Sequence, residues 1–350
     1  MRKSVRWGII GAGGIARRRT LPAMCDVANA EIIGIMDANA SCLPEIANEY
    51  QIPYYYSSED ELLKNPDIDA VYIATPVCFH KEQALKALSA GKHILLEKPI
   101  ALTLIEAEQL VEAAKKSGKK AGIGMVMRFH PGHRKMREIV RSGEIGDIVF
   151  SRLQLTCWFP YMENNWRQSK KTGGGGALVD MGVHCIDLIR FILGEEVTAA
   201  YGEIYNRTFS YEVDDSADCV LTMSNGDRTF FDVHFNIPDD AAAGKIEIYG
   251  TKGSLIADGT VGQEDVGCIQ LIQSDPNAGY KSEQKRAAGL RTNVEYAHEN
   301  IYASQIRAFS DAILNDTEVS TSFEDALQTM RVTEALYRSG KSHEKVSIGA

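Results

Sequence analysis

The segment Val5-Arg6-Trp7-Gly8-Ile9-Ile10-Gly11-Ala12-Gly13-Gly14-Ile15-Ala16 decides the fold, because it takes an apolar run straight into a glycine-rich turn. The run predicts a buried strand, and Ile15–Val27 predicts a helix that starts at the turn. The turn has the G-x-G-x-x-A form of the dinucleotide-binding fingerprint. Gly11 permits the tight turn, Gly13 lets the backbone approach a pyrophosphate, and Ala16 allows close packing of helix on strand. A plain tight turn in an α/β domain is the alternative, and the flanking strand and helix favour the fingerprint.

A carboxylate for the ribose follows at the expected distance. Asp37 ends the apolar run Ile32–Met36, about twenty residues beyond the turn. An aspartate there accepts hydrogen bonds from a ribose hydroxyl and repels a 2′-phosphate. Ala38 and Asn39 follow, with no arginine to bind that phosphate. The sequence therefore predicts NAD as the cofactor, with NADP less favoured.

The composition describes a globular chain of two domains. With 350 residues it is too long for one compact domain, and its net charge of -9 argues against a nucleic-acid or membrane partner. Its seven cysteines are scattered, odd in number and free of any Cys-x-x-Cys pair, which predicts a cytoplasmic protein without disulfides. The short apolar start is interpreted as a strand and not as a targeting segment. No apolar run reaches the length of a membrane span.

Short apolar runs alternate with helical stretches over the first third of the chain. After the first strand, the runs are Glu31–Asp37, Val71–Thr75, Ile94–Glu97 and Ala121–Met127. This alternation implies crossover helices and a parallel sheet. Beyond it, strands joined by turns such as Ser224-Asn225-Gly226-Asp227 indicate an antiparallel sheet. We therefore predict an α/β protein with a Rossmann domain at residues 1–127 and an α+β domain at residues 128–350.

A lysine follows one of the predicted strands where open α/β sheets bind their ligands. Lys98 comes just after the run His93-Ile94-Leu95-Leu96, at the carboxyl end of a buried parallel strand. Pro99 restricts the backbone behind it and is compatible with a cis peptide bond. A surface lysine is the alternative, and this position makes it less favoured. Thr75-Pro76 and His80 follow a neighbouring strand, where they either line a nicotinamide pocket or simply form a turn and a helix start.

A glycine-rich loop leads to a second group of polar side chains. Gly173-Gly174-Gly175-Gly176 precedes Asp180 and His184, which share a face of a predicted helix, and Asp187 can reach the same edge. A carboxylate beside an imidazole fixes its tautomer and raises its basicity, which suits proton transfer near neutral pH. A histidine with satisfied hydrogen bonds on a polar helix face is the alternative. The pair His130 and His133 lacks an acidic partner at metal-ligand spacing, so no metal site is predicted.

With these residues assembled, the chain resembles the glucose-fructose oxidoreductase / inositol dehydrogenase / MocA family. The resemblance spans nearly the whole chain, in the family's order, and its motifs are Gly11–Ala16, Ala74-Thr75-Pro76, Glu97-Lys98-Pro99, Met127-Arg128-Phe129-His130-Pro131, Gly174–Asp187 and Ile248–Gly253. It implies a Rossmann domain followed by a domain for substrate binding and oligomerisation, built on an open antiparallel sheet. That sheet commonly forms the oligomer interface, so a homodimer or homotetramer is expected.

The resemblance also assigns roles to residues. It implies that Lys98, Asp180 and His184 form the catalytic set. The predicted cofactor-binding residues are Gly11, Gly13, Gly14, Ile15, Asp37, Thr75, Pro76, His80, Glu97 and Lys98. The predicted substrate-binding residues are Lys98, Arg128, Trp166, Arg167, Asp180 and His184. The loop Trp158–Lys171 is where the substrate is expected to be recognised.

The expected activity is hydride transfer between NAD and a secondary alcohol or ketone of a sugar, a sugar derivative or a cyclic polyol. His184, backed by Asp180, would take the hydroxyl proton while Lys98 stabilises the oxyanion, although the sequence alone also allows Lys98 as the base. Two other functions fit the sequence: an NAD-dependent glycosidase of the same fold, and a non-catalytic NAD-binding regulator. The three polar residues together argue against the regulator, because a sensor does not need them.

Overall fold

Two compact units, each discontinuous in sequence, make up the chain. The computed structural model describes residues 3–242, 244–275, 282 and 289–349. The units are Met1–Val126, Met162–Asp180 and Asn300–Arg331 for the first, and Met127–Tyr161, Met181–Glu299 and Val332–Ala350 for the second. The leading segment of the first unit ends at Val126, next to the predicted division after Met127. That division stays a prediction.

The first unit contains a parallel sheet. Its strands in the described residues are β1 (Val5–Ile10), β2 (Ala30–Met36), β3 (Tyr54–Tyr56), β4 (Ala70–Ile73), β5 (His93–Leu96) and β6 (Ala121–Ile123). Their order in the sheet is β3-β2-β1-β4-β5-β6, the order of a dinucleotide-binding fold. Every neighbouring pair is parallel, as the alternation of apolar runs and helices predicted. The carboxyl ends of β1, β2, β4 and β5 therefore lie at one edge of the sheet, where the predicted site residues follow them.

Helices in the described residues connect and cover the strands. The α-helices are Leu21–Cys25, Leu43–Glu49, Glu59–Lys64, Val77–Ser89, Leu104–Ser117, Pro131–Ser142, Lys170–Gly173, Val183–Leu193, Ile301–Leu314 and Phe323–Ser342. Short 3₁₀ turns lie at Ala40–Cys42, Val126–Phe129 and Trp166–Gln168, and helical segments of π geometry lie at Ala12–Thr20 and Leu178–Gly182. Within the described ranges, no helix combines the length and the apolar character that a bilayer crossing requires.

Local sequence signals explain where the helices begin and end, and core packing explains where they lie. In the helix Leu104–Ser117, the Thr103 hydroxyl accepts the main-chain N–H of Glu106, and Gly118 ends the helix in the left-handed region at φ 64°. The helix Ile301–Leu314 belongs to the first unit, although it lies far along the chain. Its Phe309 ring lies 5.6 Å from the ring of Trp7, which is fully buried in β1.

The second unit contains a larger, open sheet. Its strands in the described residues are β7 (Ile148–Thr156), β8 (Val197–Tyr205), β9 (Ser216–Met223), β10 (Arg228–His234), β11 (Lys245–Gly250), β12 (Gly253–Asp258), β13 (Cys268–Gln273), β14 (Leu290–Asn293) and β15 (Val346–Ser347). The order is β14-β13-β12-β11-β7-β10-β9-β8-β15. Neighbours are antiparallel, as predicted, except that β7 and β10 run parallel, so the sheet is mixed. The predicted fold class is confirmed with this one refinement.

One face of the second sheet carries an aromatic cluster. The ring of Phe150 stacks on Tyr249 with centroids 5.5 Å apart and meets Phe230 edge-on at 5.4 Å. Phe230 remains 42% exposed, whereas its neighbour Phe231 points to the other face and is buried. The alternation along β10 thus separates a buried face from an open face that still presents large apolar side chains.

Candidate active site

The glycine turn after β1 has the geometry that a bound dinucleotide requires. Gly11 adopts φ 89°, and a Cβ atom there would lie 2.7 Å from the Ala74 carbonyl oxygen, so only glycine fits. Gly13 is exposed, and a Cβ there would lie 3.1 Å from Oδ2 of Asp37. Larger residues at these positions would block the approach of a pyrophosphate to the main chain. The residues present therefore fit NAD. The helix Ala12–Thr20 starts at the turn, so its N-terminal N–H groups can face the phosphates.

The Asp37 carboxylate is held beside this turn. Its Oδ2 accepts the N–H of Gly13 at 2.8 Å, and its Oδ1 accepts the N–H of Asn39 at 2.8 Å. The basic residue Arg17 is paired with Glu45 at 2.6 Å and with Glu49 at 3.3 Å. The Asp37 carboxylate is held by two main-chain amides, and the Arg17 guanidinium is paired with glutamates. Both features disfavour the 2′-phosphate that distinguishes NADP from NAD.

His80 connects the loops that follow β4 and β5. Its Nδ1 lies 2.8 Å from the Pro99 carbonyl oxygen, and its Nε2 lies 2.9 Å from that of Thr75. The ring is 1% exposed, and burial lowers its pKa to about 4, so the imidazole is neutral at pH 7. His80 therefore connects the loops after β4 and β5 through hydrogen bonds to both. A direct contact of His80, Thr75 or Pro76 with the cofactor stays a prediction.

Lys98 is fixed by Asp180. Its Nζ donates to the main-chain carbonyl of Asp180 at 2.6 Å and to Oδ1 of the same residue at 2.8 Å. The peptide bond from Lys98 to Pro99 is cis, as the sequence allowed. An ammonium group has three protons, and within the described residues only Asp180 accepts from it. The third proton can be offered to an oxygen of a bound substrate.

Arg167 and Trp166 approach the same carboxylate. The Arg167 guanidinium lies over the Trp166 ring, 4.3 Å from its centroid, and its Nε is 3.6 Å from Oδ1 of Asp180. Gly173 supports this turn, because a Cβ there would lie 2.9 Å from the Trp166 carbonyl oxygen. The structure thus brings Lys98, Asp180 and Arg167 together. Contact of Trp166 and Arg167 with a substrate stays a prediction.

Asp180 and His184 lie in consecutive helical segments of different geometry. Asp180 belongs to the π-helical turn Leu178–Gly182, and His184 is the second residue of the buried α-helix Val183–Leu193. A spacing of four residues places two side chains on one face only in a continuous α-helix, so it does not by itself give Asp180 and His184 a shared face. The pairing of Asp180 with His184 and the catalytic role of His184 stay predictions.

Arg128 and Asp187 form a buried ion pair in the second unit. Arg128 Nε donates to Oδ2 of Asp187 at 2.8 Å, and Nη2 donates to Oδ1 at 2.6 Å. The two side chains are 9% and 2% exposed. This fork-shaped contact explains why Asp187 is an aspartate, and it ties the turn Val126–Phe129 to the helix that carries His184. A substrate contact by Arg128 stays a prediction.

His130 and His133 hydrogen-bond within the protein. The Nδ1 of His130 accepts the N–H of Gly132 at 3.0 Å, and the ring stacks on His133 with centroids 4.4 Å apart. The Nδ1 of His133 lies 2.9 Å from the Met127 carbonyl oxygen, and burial lowers its pKa to about 3. Over the ranges that the structure describes, no group of three metal-ligating side chains is arranged to hold a metal ion.

Sequence reasoning missed the partners of Glu97. The Tyr72 phenol donates to Oε1 of Glu97 at 2.5 Å. The signal was a tyrosine within the otherwise aliphatic strand Ala70–Ile73, because a buried phenol requires a partner for its hydroxyl group. The identity of that partner depends on a neighbouring strand and could not be inferred from the strand alone.

Known proteins are similar to this chain in sequence and in fold. Residues 5–125 match GFO_IDH_MocA, described as "Oxidoreductase family, NAD-binding Rossmann fold", and residues 133–256 match the GFO/IDH/MocA C-terminal domain. The chain is 30% identical over 344 residues to the 1,5-anhydro-D-fructose reductase of Ensifer adhaerens, covering 98% of both proteins. It is 31% identical over 261 residues to the dTDP-3,4-didehydro-2,6-dideoxy-alpha-D-glucose 3-reductase of Saccharopolyspora spinosa, covering 74% of this chain and 76% of that protein. The aldose-aldose oxidoreductase from Caulobacter crescentus, solved in complex with glycerol, matches with a TM-score of 0.87 at 24% identity, covering 98% of this chain and 99% of that one.

Proposed function

The chain belongs to the GFO/IDH/MocA family of NAD-binding oxidoreductases, and on that premise we propose that it interconverts a secondary alcohol and a ketone on a sugar, a sugar derivative or a cyclic polyol. Two of its relatives are named as reductases of sugar derivatives, which supports this substrate class. The observation that carries the proposal is the Lys98 ammonium group, held by the carbonyl and the carboxylate of Asp180 just beyond the carboxyl end of β5.

Lys98 acts as a charged donor and not as the base. The Lys98 side chain donates to the Asp180 carboxylate, and a further proton of its ammonium group can hydrogen-bond the substrate oxygen and stabilise negative charge on it. His184 is then the acceptor of the hydroxyl proton. In the oxidation, the hydroxyl proton moves to an imidazole nitrogen of His184 as the O–H bond breaks. The C–H bond breaks with its electron pair leaving on the hydrogen as hydride, and the C=O bond forms. NAD, when bound, supplies the hydride acceptor.

A panel of polyols and sugars, offered with NAD and with NADP, tests the proposal by the absorbance of the reduced cofactor. We expect reduction of NAD by at least one cyclic polyol or sugar. A cleaved glycoside without accumulation of NADH would instead identify a glycosidase. Tight NAD binding without any chemical product would identify a regulator.

The cofactor preference is expected to depend on Asp37. NAD should bind at least about tenfold more tightly than NADP, because the fixed carboxylate accepts a ribose hydroxyl and repels a phosphate. The double variant Asp37→Ala with Ala38→Arg should narrow or reverse the preference, as measured by calorimetric titration with each cofactor. Asp26→Ala, which removes an exposed carboxylate elsewhere in the same unit, is the matched control. Tighter binding of NADP by the unmodified chain would contradict the assignment.

The open face of the second sheet is proposed as the contact between copies in a homodimer or homotetramer. The proposal is supported by the aromatic cluster of Phe150, Phe230 and Tyr249, because large apolar side chains seldom stay clustered on a monomer surface. The variant Phe230→Glu should lower the mass measured by light scattering at micromolar concentration, since it places a charge in a dehydrated contact. Tyr54→Glu, at a half-exposed tyrosine on the edge strand of the first sheet, should leave the mass unchanged. A monomer mass for the unmodified chain would refute the proposal.

A cytoplasmic location is also proposed. It is supported by Cys25, Cys42, Cys78 and Cys268, which are at least partly exposed and form no disulfide. Unpaired accessible thiols persist in a reducing compartment. Fractionation of cells that express the chain tests this location, and recovery in an oxidising compartment with new disulfides would contradict it.

A further inference from the structure

A directed chain of hydrogen bonds runs through the interior of the first unit and ends beside Lys98. The Thr20 hydroxyl donates to the Tyr72 phenol oxygen at 3.1 Å, and the phenol donates to Oε1 of Glu97 at 2.5 Å. Thr20 and Tyr72 are each 1% exposed. Thr20 ends the helix that starts at the glycine turn, and Tyr72 lies in β4. The chain thus joins the helix Ala12–Thr20 to the residue that precedes Lys98.

The carboxylate at the end of this chain has one further hydrogen bond and a close-fitting neighbour. Its Oε2 accepts the main-chain N–H of Lys98 at 3.2 Å. Gly124, just after β6, leaves room for it, because a Cβ there would lie 2.9 to 3.0 Å from the Glu97 carboxyl atoms. Tyr72 from one strand, Gly124 from another and the Lys98 amide therefore fix the orientation of Glu97.

We propose that Tyr72, supported by Thr20, is a positioning residue for turnover: it holds the Glu97 carboxylate in place so that the backbone and the charge of Lys98 are set for the substrate oxygen. The inference rests on the proposed function through the role of Lys98. Lys98 then lies between two carboxylates with separate tasks. Asp180 accepts from its ammonium group, and Glu97 accepts from its main-chain amide.

The groups that face Glu97 determine how it titrates. Burial raises the pKa of Glu97, and the Tyr72 hydrogen bond, the Lys98 charge and amide, and the Arg167 charge oppose that rise. From the helix Ile301–Leu314, Tyr302 faces the same carboxylate, and its own pKa is raised by burial and by Glu97. Because Tyr72 donates to the ionised form, its removal raises the pKa of Glu97 further.

The first test is the pH profile of turnover in Tyr72→Phe, which removes one hydroxyl group and keeps the ring. With a substrate from the panel, we expect the acid limb of kcat to move upwards by about one pH unit, because protonation of Glu97 weakens its hold on the Lys98 amide and the limb then depends on Glu97 as well as on the base His184. At neutral pH, kcat should fall about tenfold while the KM for NAD changes little. The matched control is Tyr302→Phe, which removes a buried phenol that faces Glu97 without hydrogen-bonding to it. Its acid limb should stay in place.

The second test does not depend on turnover. Glu97 has a folded-state pKa above its usual value, so its ionisation weakens the folded state as the pH rises through that range. Tyr72→Phe increases this penalty. Its loss of thermal stability, relative to the unmodified chain, should therefore be larger at pH 8 than at pH 4.5. Tyr302→Phe should lose the same amount at both values, because its phenol stays neutral in this window.

The outcomes separate this inference from the proposed function. If no member of the panel reduces NAD in the presence of the unmodified chain, the proposed function fails. The stability test alone then decides whether the hydrogen bond from Tyr72 holds Glu97. If Tyr72→Phe does not fold, Thr20→Val tests the chain from its other end. Thr20→Val should shift the acid limb and the stability in the same directions as Tyr72→Phe, but by smaller amounts. Thr20→Ser, which keeps the hydroxyl, should restore both to the values of the unmodified chain. An unmoved acid limb together with a stability loss independent of pH would overturn the inference.

Discussion

We expect the Lys98→Ala variant to lower kcat by about a hundred- to thousandfold while NADH binds nearly as well as to the unmodified chain. That range is typical of the loss of one group that stabilises an oxyanion. The proposed site gives Lys98 one proton for the substrate oxygen, and this interaction strengthens only as negative charge develops there. Steady-state rates with a substrate from the panel, and fluorescence titration with NADH, measure the two quantities separately.

The matched control for Lys98→Ala is Lys120→Ala. Lys120 also belongs to the first unit and pairs with a single aspartate, Asp316, at 2.8 Å, but it lies away from the carboxyl ends of the strands. Its loss should leave kcat unchanged. Asp180→Asn should have an intermediate effect, because the main-chain carbonyl still accepts from Lys98 when the charge is gone. Near-full activity of Lys98→Ala on the true substrate would remove Lys98 from the mechanism.

The His184→Ala variant should lower kcat by at least about a hundredfold near neutral pH, because general-base catalysis contributes at least that much. The defect should become smaller as the pH rises, because hydroxide can take the proton that the imidazole no longer accepts. NADH affinity should change little, since the proposed role of His184 is at the substrate oxygen. A pH series of kcat for both proteins measures the effect.

His298→Ala provides the comparison for His184→Ala. His298 is a well-exposed histidine whose Nδ1 lies 3.3 Å from Asp265, so its replacement also removes an imidazole near a carboxylate. Its pH profile should match that of the unmodified chain. A His184→Ala defect that stays constant up to high pH would indicate a structural role and would remove His184 as the base.

Local backbone requirements made much of the fold predictable. Gly11 had to be glycine because the turn after β1 adopts a positive φ and touches the Ala74 carbonyl, and that need is visible in the sequence as a fingerprint. The helix Leu104–Ser117 likewise has both of its ends marked by local residues, Thr103 and Gly118. Signals of this kind depend on a few neighbouring residues.

Interactions between distant residues were not predictable in the same way. The contact from Tyr72 to Glu97 depends on the pairing of β4 with β5, and the ion pair of Arg128 with Asp187 joins residues 59 positions apart. The parallel pairing of β7 with β10 was likewise missed, because turn signals describe only consecutive strands. The short strand Tyr54–Tyr56 has too few residues to show a periodic pattern.

The discontinuity of the first unit has a consequence for protein synthesis. The indole N–H of Trp7 in β1 donates to the hydroxyl of Ser310, a residue 303 positions later, and Phe309 fills the space that Gly122 leaves beside β6. A nascent chain that has only just delivered β6 still lacks the helix Ile301–Leu314, so part of the sheet is uncovered while the second unit is being translated. The first unit therefore starts to fold early but is completed only after the helix Ile301–Leu314 has been synthesised. Its last contacts join residues far apart in sequence, so they have a high contact order and a large entropic cost of loop closure.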